Sequence, residues 1–327
     1  MSEGMRAKFE LQSSSGKAPL ARNSRRTYWA HLLAFHRFCN KPATQWRGRD
    51  VSDWMWHLER ERYSIPARRQ MLCAVVWAFK NVLEIDPGIL DLPSLPREEK
   101  RVKVIPTREE LGRVFSGLKG MCRIMAGLMY GSGLRVEECC KLRVKDIDFS
   151  ALTVVIHGGK GDKDRLTLLP VAMVSILQKF VAWRAAMHEW DISEGAGFVE
   201  LPGRLAIKYK NAARELGWQF LFCSAVRRGQ YRWHTVPEVI QRAIKKAVSE
   251  AGIQKRITPH TLRHAFATHA LRAGNDIATI QELMGHTQIE TTMIYLHGDA
   301  ARGVSPLDAA PLTKLVMTKP DNRMQLA

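Results

Sequence analysis

The chain has 327 residues, with 50 lysines and arginines against 32 acidic residues, so its formal net charge is +18 at pH 7. This length predicts about two domains, and a composition of 46% hydrophobic and 25% charged residues is typical of a folded globular protein. We expect no membrane span, because no apolar run approaches the roughly 20 residues that cross a bilayer. We also expect no secretory leader, because the N-terminus lacks a basic segment followed by an apolar stretch. The six cysteines follow neither a disulfide framework nor a zinc-ribbon spacing, which favours a reducing cytoplasm.

Positive charge is distributed over the whole chain. Basic residues outnumber acidic ones both in the first 100 residues and in the remainder. This distribution indicates a protein that holds a polyanion from two sides, and it excludes a single basic tail. A membrane surface is the weaker interpretation, since the sequence has no basic amphipathic anchor and no lipidation motif.

The N-terminal part of the chain predicts a small helical domain. The first 20 residues are rich in serine, glycine and lysine and are expected to be flexible. Apolar residues then recur at helical spacing in three segments between residues 21 and 86. The first of these segments is predicted to begin at Asn23 or Ser24 and the third at Pro66. Four prolines and a charged run make residues 87–106 a predicted linker.

Residues 107–327 predict a second, mostly helical domain. It opens with a capping box between Thr107 and Glu110. Two β-rich runs, 152–156 and 165–169, flank a glycine-rich turn and predict a hairpin. Further helices are predicted over 121–130, 135–142, 171–190, 202–216, 236–251, 261–273, 276–284 and 291–297.

A few basic and nucleophilic side chains in this second domain could carry chemistry. Arg135 follows a Gly-Ser-Gly-Leu turn at a predicted helix start, and Lys160 lies in the glycine-rich tip of the hairpin. His260 and Arg263 share one face of a predicted helix. Tyr295 ends the stretch Thr-Thr-Met-Ile-Tyr. Taken singly, each has an ordinary interpretation: a solvated arginine, a turn lysine or a core tyrosine.

Taken together, these side chains are the ones that metal-free phosphoryl transfer needs. Arginines hold the non-bridging phosphate oxygens, lysine or histidine protonates the leaving alkoxide, and tyrosine acts as a covalent nucleophile. A zinc pair formed by His260 and His264, four residues apart, is the competing interpretation. It is disfavoured because the motif lacks the adjacent glutamate of a zinc protease and because Arg263 would place a cation beside the metal. We expect no metal site.

Five stretches of the sequence occur in a characteristic order and spacing. They are Tyr130–Glu138 (YGSGLRVEE), Gly159–Gly161 (GKG), Thr258–His269 (TPHTLRHAFATH), Leu283–His286 (LMGH) and Thr291–Tyr295 (TTMIY). With these stretches the chain resembles the tyrosine recombinases of the phage-integrase family over nearly its whole length. The resemblance implies a mainly α (α+β) fold, built as a two-domain C-shaped DNA clamp. Residues 21–86 would be a SAM-like core-binding domain, and residues 107–327 a mostly helical catalytic domain with one small antiparallel sheet.

The resemblance also implies a role for each matching residue. Arg135 and Arg263 would clamp the scissile phosphate, and Lys160 would be the general acid on the departing 5′-oxygen. His260 and His286 would support the site, Glu138 would buttress it, and Tyr295 would be the nucleophile. The covalent link would conserve the phosphodiester energy, so neither ATP nor a metal cofactor is expected.

A second resemblance is narrower. Residues 198–222, with a predicted inserted helix around 198–217, and the tail around 302–308 are similar to the integron integrases. Three positions depart from that pattern: Trp233-His234 replaces paired histidines, Cys223 replaces a proline, and Leu296 replaces a threonine.

The inserted segment also has the composition of a nucleic-acid surface. Trp218, Trp233 and His234 lie among cationic residues in the sequence, and planar side chains interleaved with cations suit extruded bases. The cations in question are Arg204, Lys208, Lys210, Arg227, Arg228 and Arg232. Of these, Arg227, Arg228 and Arg232 are expected to hold the DNA backbone that carries the extruded base. The competing interpretation is that Trp218 is an ordinary core residue.

These observations predict a site-specific recombinase of the integron-integrase type. It would integrate and excise gene cassettes through a 3′-phosphotyrosine intermediate, acting on duplex sites and on folded single-stranded cassette sites. Exchange between two sites implies a homo-tetramer, and we expect it in the bacterial cytoplasm at the nucleoid, without membrane partners. The alternatives are a chromosome-dimer resolvase or phage integrase acting on duplex sites only, and a non-catalytic DNA-binding protein.

Overall fold

A computed structural model of the protein describes residues 3–15, 19–96, 105–158, 164–203, 205–209 and 211–285. The chain divides into two compact units, Met1–Val102 and Lys103–Ala327. The boundary lies inside the stretch predicted as a linker. The assignment of the first unit as a core-binding domain and of the second as a catalytic domain remains a prediction.

The first unit is helical. Its α-helices are α1 (Glu3–Ser15), α2 (Arg22–Cys39), α3 (Gly48–Arg60) and α4 (Ile65–Ala78), the last continued by a π-helical turn over Phe79–Leu83. The core is aromatic: Phe35 contacts Trp46 and Trp54 with ring centroids 4.8 and 5.1 Å apart. These side chains are buried, and aromatic packing of this kind supplies much of the core energy of a small domain.

Two expectations for the N-terminal region are wrong. The first 20 residues are not simply flexible, because α1 spans Glu3–Ser15. Met5 and Phe9, one helical turn apart, are buried, and the Phe9 ring lies 5.0 Å from that of Trp29. Helix α2 also begins earlier than expected, at Arg22, with Ala21 at the cap position and without a side-chain cap.

Over its described residues the second unit is mostly helical with one small sheet, as the sequence predicts. Strands β1 (Ile147–Asp148), β2 (Thr153–Ile156) and β3 (Arg165–Leu168) form an antiparallel sheet in the order β1-β2-β3. In its register Val154 pairs with Thr167 and Ile156 with Arg165. The α-helices are α5 (Arg108–Gly117), α6 (Gly120–Gly131), α7 (Val136–Lys141), α8 (Val171–Ser193), α9 (Leu205–Lys208), α10 (Pro237–Glu250), α11 (Pro259–Arg272) and α12 (Ile277–Met284).

Helix α6 is the centre of the second unit. All its residues from Ile124 to Gly131 are buried, which is expected of a helix that is apolar on every side. It packs against α11, where the hydroxyl of Tyr130 lies 2.9 Å from Nδ1 of His269. Helices α7 and α11 both contact α6 and share its core, so the residues that they carry are held in fixed positions.

The predicted helix over 202–216 is wrong. The segment has one turn of α-helix, α9, followed by two 3₁₀ turns over Ala212–Arg214 and Leu216–Trp218. The buried residues of this region, Val199, Leu201, Ala212 and Phe220, are spaced irregularly and form their own small cluster, so no continuous helical face exists to be buried. The predicted helix over 291–297 lies outside the described residues. None of the described helices combines the length and apolarity that a membrane crossing requires.

Candidate active site

Glu138 lies at the centre of the candidate site. It occupies the first turn of α7, and its carboxylate accepts hydrogen bonds from the backbone N–H of Arg135 at 2.8 Å and from Nη1 of the same arginine at 2.6 Å. This is a capping arrangement, in which a carboxylate satisfies an N–H that the helix leaves unpaired. The Glu138 side chain is only 8% exposed, whereas that of Arg135 is 30% exposed.

A second arginine, Arg165, binds the same carboxylate and was missed by the sequence reasoning. It is the first residue of β3, and its Nη1 and Nη2 donate to the two carboxylate oxygens of Glu138 at 2.9 and 2.7 Å. The strand turns Arg165 and Thr167 inward and leaves Leu166 exposed. The alternation of polar and apolar residues along β3 could have indicated that Arg165 faces inward. The usual pattern is reversed here, because the polar residues face the core and a leucine faces solvent.

Arg263 on α11 completes the cluster. Its side chain is 3% exposed, and Nη1 lies 3.8 Å from Oε2 of Glu138. The same guanidinium donates to the backbone oxygens of Gly133 and Met284. Gly133 has φ +65°, and a Cβ there would lie 2.6 Å from the Phe266 ring, so only glycine fits this turn.

The C-terminus of α12 is bound to the same three arginines. Nε of Arg165 donates to the Leu283 oxygen at 3.0 Å, Arg263 donates to the Met284 oxygen, and Nη2 of Arg135 lies 3.4 Å from the oxygen of Gly285. Helix C-termini carry unpaired carbonyls and a partial negative charge, which cations stabilise. Three consecutive carbonyls at the end of α12, those of its last two residues and of Gly285, are therefore fixed by the arginines that surround Glu138.

Glu138 is ionised at neutral pH. Burial by itself raises the pKa of this carboxyl, but the hydrogen bonds and charge of Arg165, together with the hydrogen bonds from Arg135, outweigh burial and lower the pKa to about 2. One carboxylate thus lies among three guanidinium groups. The cluster keeps an excess of positive charge in a partly buried place, which is the arrangement that a phosphate site requires.

The other predicted catalytic residues are placed as follows. His260 is exposed on the first turn of α11, and its ring centroid lies 4.1 Å from that of His264 in an edge-on arrangement. His264 is buried. Lys160, His286 and Tyr295 lie outside the described residues. Within the part of the chain that the structure describes, no group of three or more histidines, cysteines, aspartates or glutamates is placed to hold a metal ion.

Trp218, Trp233 and His234 line one cleft of about 720 Å³. All three are partly buried, so Trp218 is neither a fully buried core residue nor a free surface ring. Nζ of Lys145 lies 3.2 Å from the centroid of the Trp218 ring, and Nη1 of Arg143 donates to the Trp218 backbone oxygen at 2.6 Å. The cleft therefore combines aromatic surface with cations.

One of the arginines expected to hold a DNA backbone beside this cleft does something else. Arg232 is buried, and its guanidinium makes two hydrogen bonds to the carboxylate of Asp191 and donates to the Ser224 and Ala225 oxygens. Arg227 also lies 3.5 Å from Asp191. The expectation for Arg232 is wrong, because a buried carboxylate requires a buried partner. Arg204 and Lys210 lie outside the described residues.

Comparison with known proteins identifies the family. Residues 111–302 match the phage integrase family. A protein from Escherichia coli named integrase/recombinase is 38% identical over 291 residues, which is 86% of each chain. Tyrosine recombinase XerA from Thermococcus onnurineus is 31% identical over 255 residues, or 76% of this chain and 77% of the relative.

Solved structures show the same fold. The XerH site-specific recombinase bound to its difH substrate superimposes with a TM-score of 0.62 and 17% identity, covering 89% of this chain and 81% of XerH. The Tn1549 transposon integrase bound to transposon right-end DNA gives a TM-score of 0.59 and 18% identity, covering 90% and 95%. The family match extends over more than half of the chain and agrees with relatives that cover most of its length. The chain belongs to the phage integrase family of tyrosine recombinases.

Proposed function

We propose that this protein is a site-specific DNA recombinase that cuts and rejoins DNA through a tyrosine nucleophile. The observation that carries the proposal is the meeting of Arg135 and Arg263, two residues 128 positions apart in the sequence, on the single buried carboxylate of Glu138. Two guanidiniums held this way can each donate to non-bridging oxygens of one phosphate. Their charge would stabilise the pentavalent transition state without reorganisation.

The proposed reaction has two steps. The hydroxyl oxygen of Tyr295 attacks phosphorus and loses its proton to solvent. The bond from phosphorus to the 5′-oxygen breaks, and Lys160 supplies the proton that leaves with the 5′-hydroxyl. The 3′-phosphate is then joined to Tyr295. A 5′-hydroxyl from another strand attacks this phosphotyrosine, which restores the tyrosine and reseals the DNA. His260 and His286 would support the phosphate, and neither ATP nor a metal takes part.

Within the family, we propose the integron-integrase type, which integrates and excises cassettes. Its support is the cleft in which Trp218, Trp233 and His234 meet beside Arg143 and Lys145. Each base stacked on an aromatic side chain contributes about 1–3 kcal/mol, and the gain is largest for bases that are already unpaired. The cleft would therefore select a folded single-stranded site over a perfect duplex.

The rival subtype is a Xer-like resolvase that acts on duplex sites only. The name of the XerA relative favours this second candidate. Under either subtype, recombination between two sites needs four active tyrosines, so we propose a homo-tetramer on DNA. We also propose that the first unit contacts the duplex as a core-binding domain and that the protein acts at the bacterial nucleoid in the cytoplasm.

A covalent-capture assay tests the catalytic proposal. The substrates are folded single strands and duplexes taken from the DNA that flanks the gene, each nicked beside the candidate scissile phosphate so that the cleaved fragment diffuses away. We expect a denaturation-resistant adduct with the wild-type chain and none with Tyr295→Phe, while DNA binding by the variant stays nearly unchanged because only one oxygen is removed. An adduct formed by Tyr295→Phe would refute the assignment of the nucleophile.

Tryptophan variants test the subtype. Trp218→Ala and Trp233→Ala should each weaken binding to the folded strand by about 1–3 kcal/mol and change duplex binding little. Trp190→Ala is the matched control. Trp190 is exposed, and its ring centroid lies 5.0 Å from the guanidinium carbon of Arg227, but the residue does not line the cleft. Equal losses on hairpin and duplex would favour the resolvase and a packing role for both tryptophans.

A further inference from the structure

Arg165 has no role in the catalytic set derived from the sequence motifs, yet its guanidinium makes three hydrogen bonds within the site. It binds both oxygens of Glu138 at 2.9 and 2.7 Å and the oxygen of Leu283 at 3.0 Å. Its side chain is only 10% exposed. One guanidinium thus joins three elements: β3 from which it extends, the first turn of α7, and the last turn of α12.

We propose that Arg165 is a positioning residue for DNA cleavage. It fills hydrogen-bond acceptor positions of the Glu138 carboxylate and holds the end of α12, so that Arg135 and Arg263 are presented to the scissile phosphate. The inference rests on the proposed function. In this role Arg165 needs no contact of its own with DNA or with the reacting atoms. It acts through the carboxylate and through the helix end.

Arg165 occupies hydrogen-bond acceptor sites of Glu138 that the other arginines would otherwise fill. A carboxylate has about four lone-pair positions, and in this structure Arg165 and Arg135 donate to it while Nη1 of Arg263 stays 3.8 Å away. Without Arg165, the buried charge would draw the remaining guanidiniums closer, because a buried anion needs compensating donors. Each donor that turns toward Glu138 is lost to the phosphate.

Arg165 also holds the end of α12. Gly285 terminates this helix with φ +61°, and a Cβ at that position would lie 2.8 Å from Cδ of Arg165. The absence of a side chain at Gly285 therefore makes the space in which Arg165 reaches the Leu283 oxygen. His286 follows Gly285 immediately in the sequence, so this helix end is the last described point of the chain before the next candidate catalytic residue.

A lysine at position 165 could not make the same set of hydrogen bonds. The planar guanidinium donates in parallel to both oxygens of a carboxylate and still has Nε for a third acceptor, whereas an ammonium is a point charge on a flexible stem. Arg165→Lys keeps the charge near Glu138 but gives up the bidentate geometry. It should fall between the wild-type protein and Arg165→Gln.

The test uses the full-length chain with Arg165→Gln, Arg165→Lys and a control, Lys255→Gln. The control removes a cation from a different carboxylate of the same unit, since Nζ of Lys255 lies 2.7 Å from Oε2 of Glu110. Three quantities are measured: hydrogen exchange of the α12 amides, affinity for the nicked DNA substrates described above, and the rate of covalent adduct formation on saturating DNA.

For Arg165→Gln we expect faster exchange in α12 with unchanged exchange in α6, DNA affinity within about threefold of wild type, and a cleavage rate about 10²-fold lower, the size of effect that misplacement by about 1 Å produces. Arg165→Lys should show a smaller defect, and Lys255→Gln none in α12 or in cleavage. If Arg165→Gln does not fold, the same three measurements are made on Arg165→Lys. The inference would then be overturned if Arg165→Lys showed wild-type values for both α12 exchange and cleavage.

The outcomes separate this inference from the proposed function. If the wild-type chain forms no adduct on any substrate, the proposed function fails, and the cleavage part of the inference fails with it. If the wild-type chain cleaves and the Arg165 variants cleave equally fast, only the inference is overturned. A parallel fall in affinity and cleavage rate would also overturn it, because a positioning residue should alter the chemical step and leave binding nearly unchanged.

Discussion

Replacing Glu138 by glutamine removes the one carboxylate on which three arginines converge, and its effect on stability can be estimated from the structure. The pKa of this carboxyl is lowered from an ordinary value of 4.5 to about 2. At about 1.36 kcal/mol for each pH unit, that difference corresponds to about 3 kcal/mol of folding free energy at pH 7. Breaking a buried ion pair by removing one partner costs about 3–5 kcal/mol, which agrees. We expect Glu138→Gln to lose about 3 kcal/mol.

The lowered pKa of Glu138 also determines how the stability loss depends on pH. The folded-state pKa of Glu138 lies below the unfolded one, so its contribution is complete above about pH 5 and disappears as the pH falls through 4.5 toward 2. The stability difference between the two proteins should therefore narrow by about 2 kcal/mol between pH 7 and pH 3. Burial lowers the pKa of His269 to about 4, aided by the charges of Arg108 and Arg272. That imidazole also weakens folding below pH 6.5, but equally in both proteins.

The assay is urea unfolding of the full chain without DNA, followed by circular dichroism at several pH values and constant ionic strength. Glu110→Gln is the control, because Glu110 pairs with one lysine at a more exposed place and should contribute about 1 kcal/mol or less. A loss below 1 kcal/mol for Glu138→Gln at pH 7 would refute the reasoning. So would a difference between wild type and variant that stays constant from pH 7 to pH 3.

Three further predictions follow from the charge and backbone of the chain. Cleavage should proceed in excess EDTA, because the guanidiniums of Arg135 and Arg263 replace a metal as the charge stabiliser; loss of cleavage that zinc or magnesium restores would revive a metal site at His260. DNA affinity should fall steeply with salt, since many of the 50 basic residues would displace counterions from phosphates; a flat salt dependence measured by fluorescence anisotropy would argue against DNA as the ligand of this charge. Gly133→Ala should unfold at lower temperature and cleave more slowly than wild type, because its φ is +65° and the new Cβ would meet the Phe266 ring; wild-type values for both would show that the turn adapts.

The sequence alone was sufficient for the family and for most of the helices. Helical periodicity depends on local spacing, so α8, α10, α11 and α12 begin and end close to the predicted positions. Arg135 and Arg263 could be named because their motifs are short and contiguous, and each motif fixes its residue locally. The mainly helical fold with one small sheet follows from the same patterns.

Tertiary structure decided which side chains meet. Neither the inward orientation of Arg165 nor its bonds to Glu138 and Leu283 could be read from the chain, because they join residues 27 and 118 positions apart. Arg232 likewise looked like a surface cation until its buried partner Asp191 was located. Spacing along the sequence reports which face of a local element is apolar, but the partner of a buried charge is chosen by packing between distant elements.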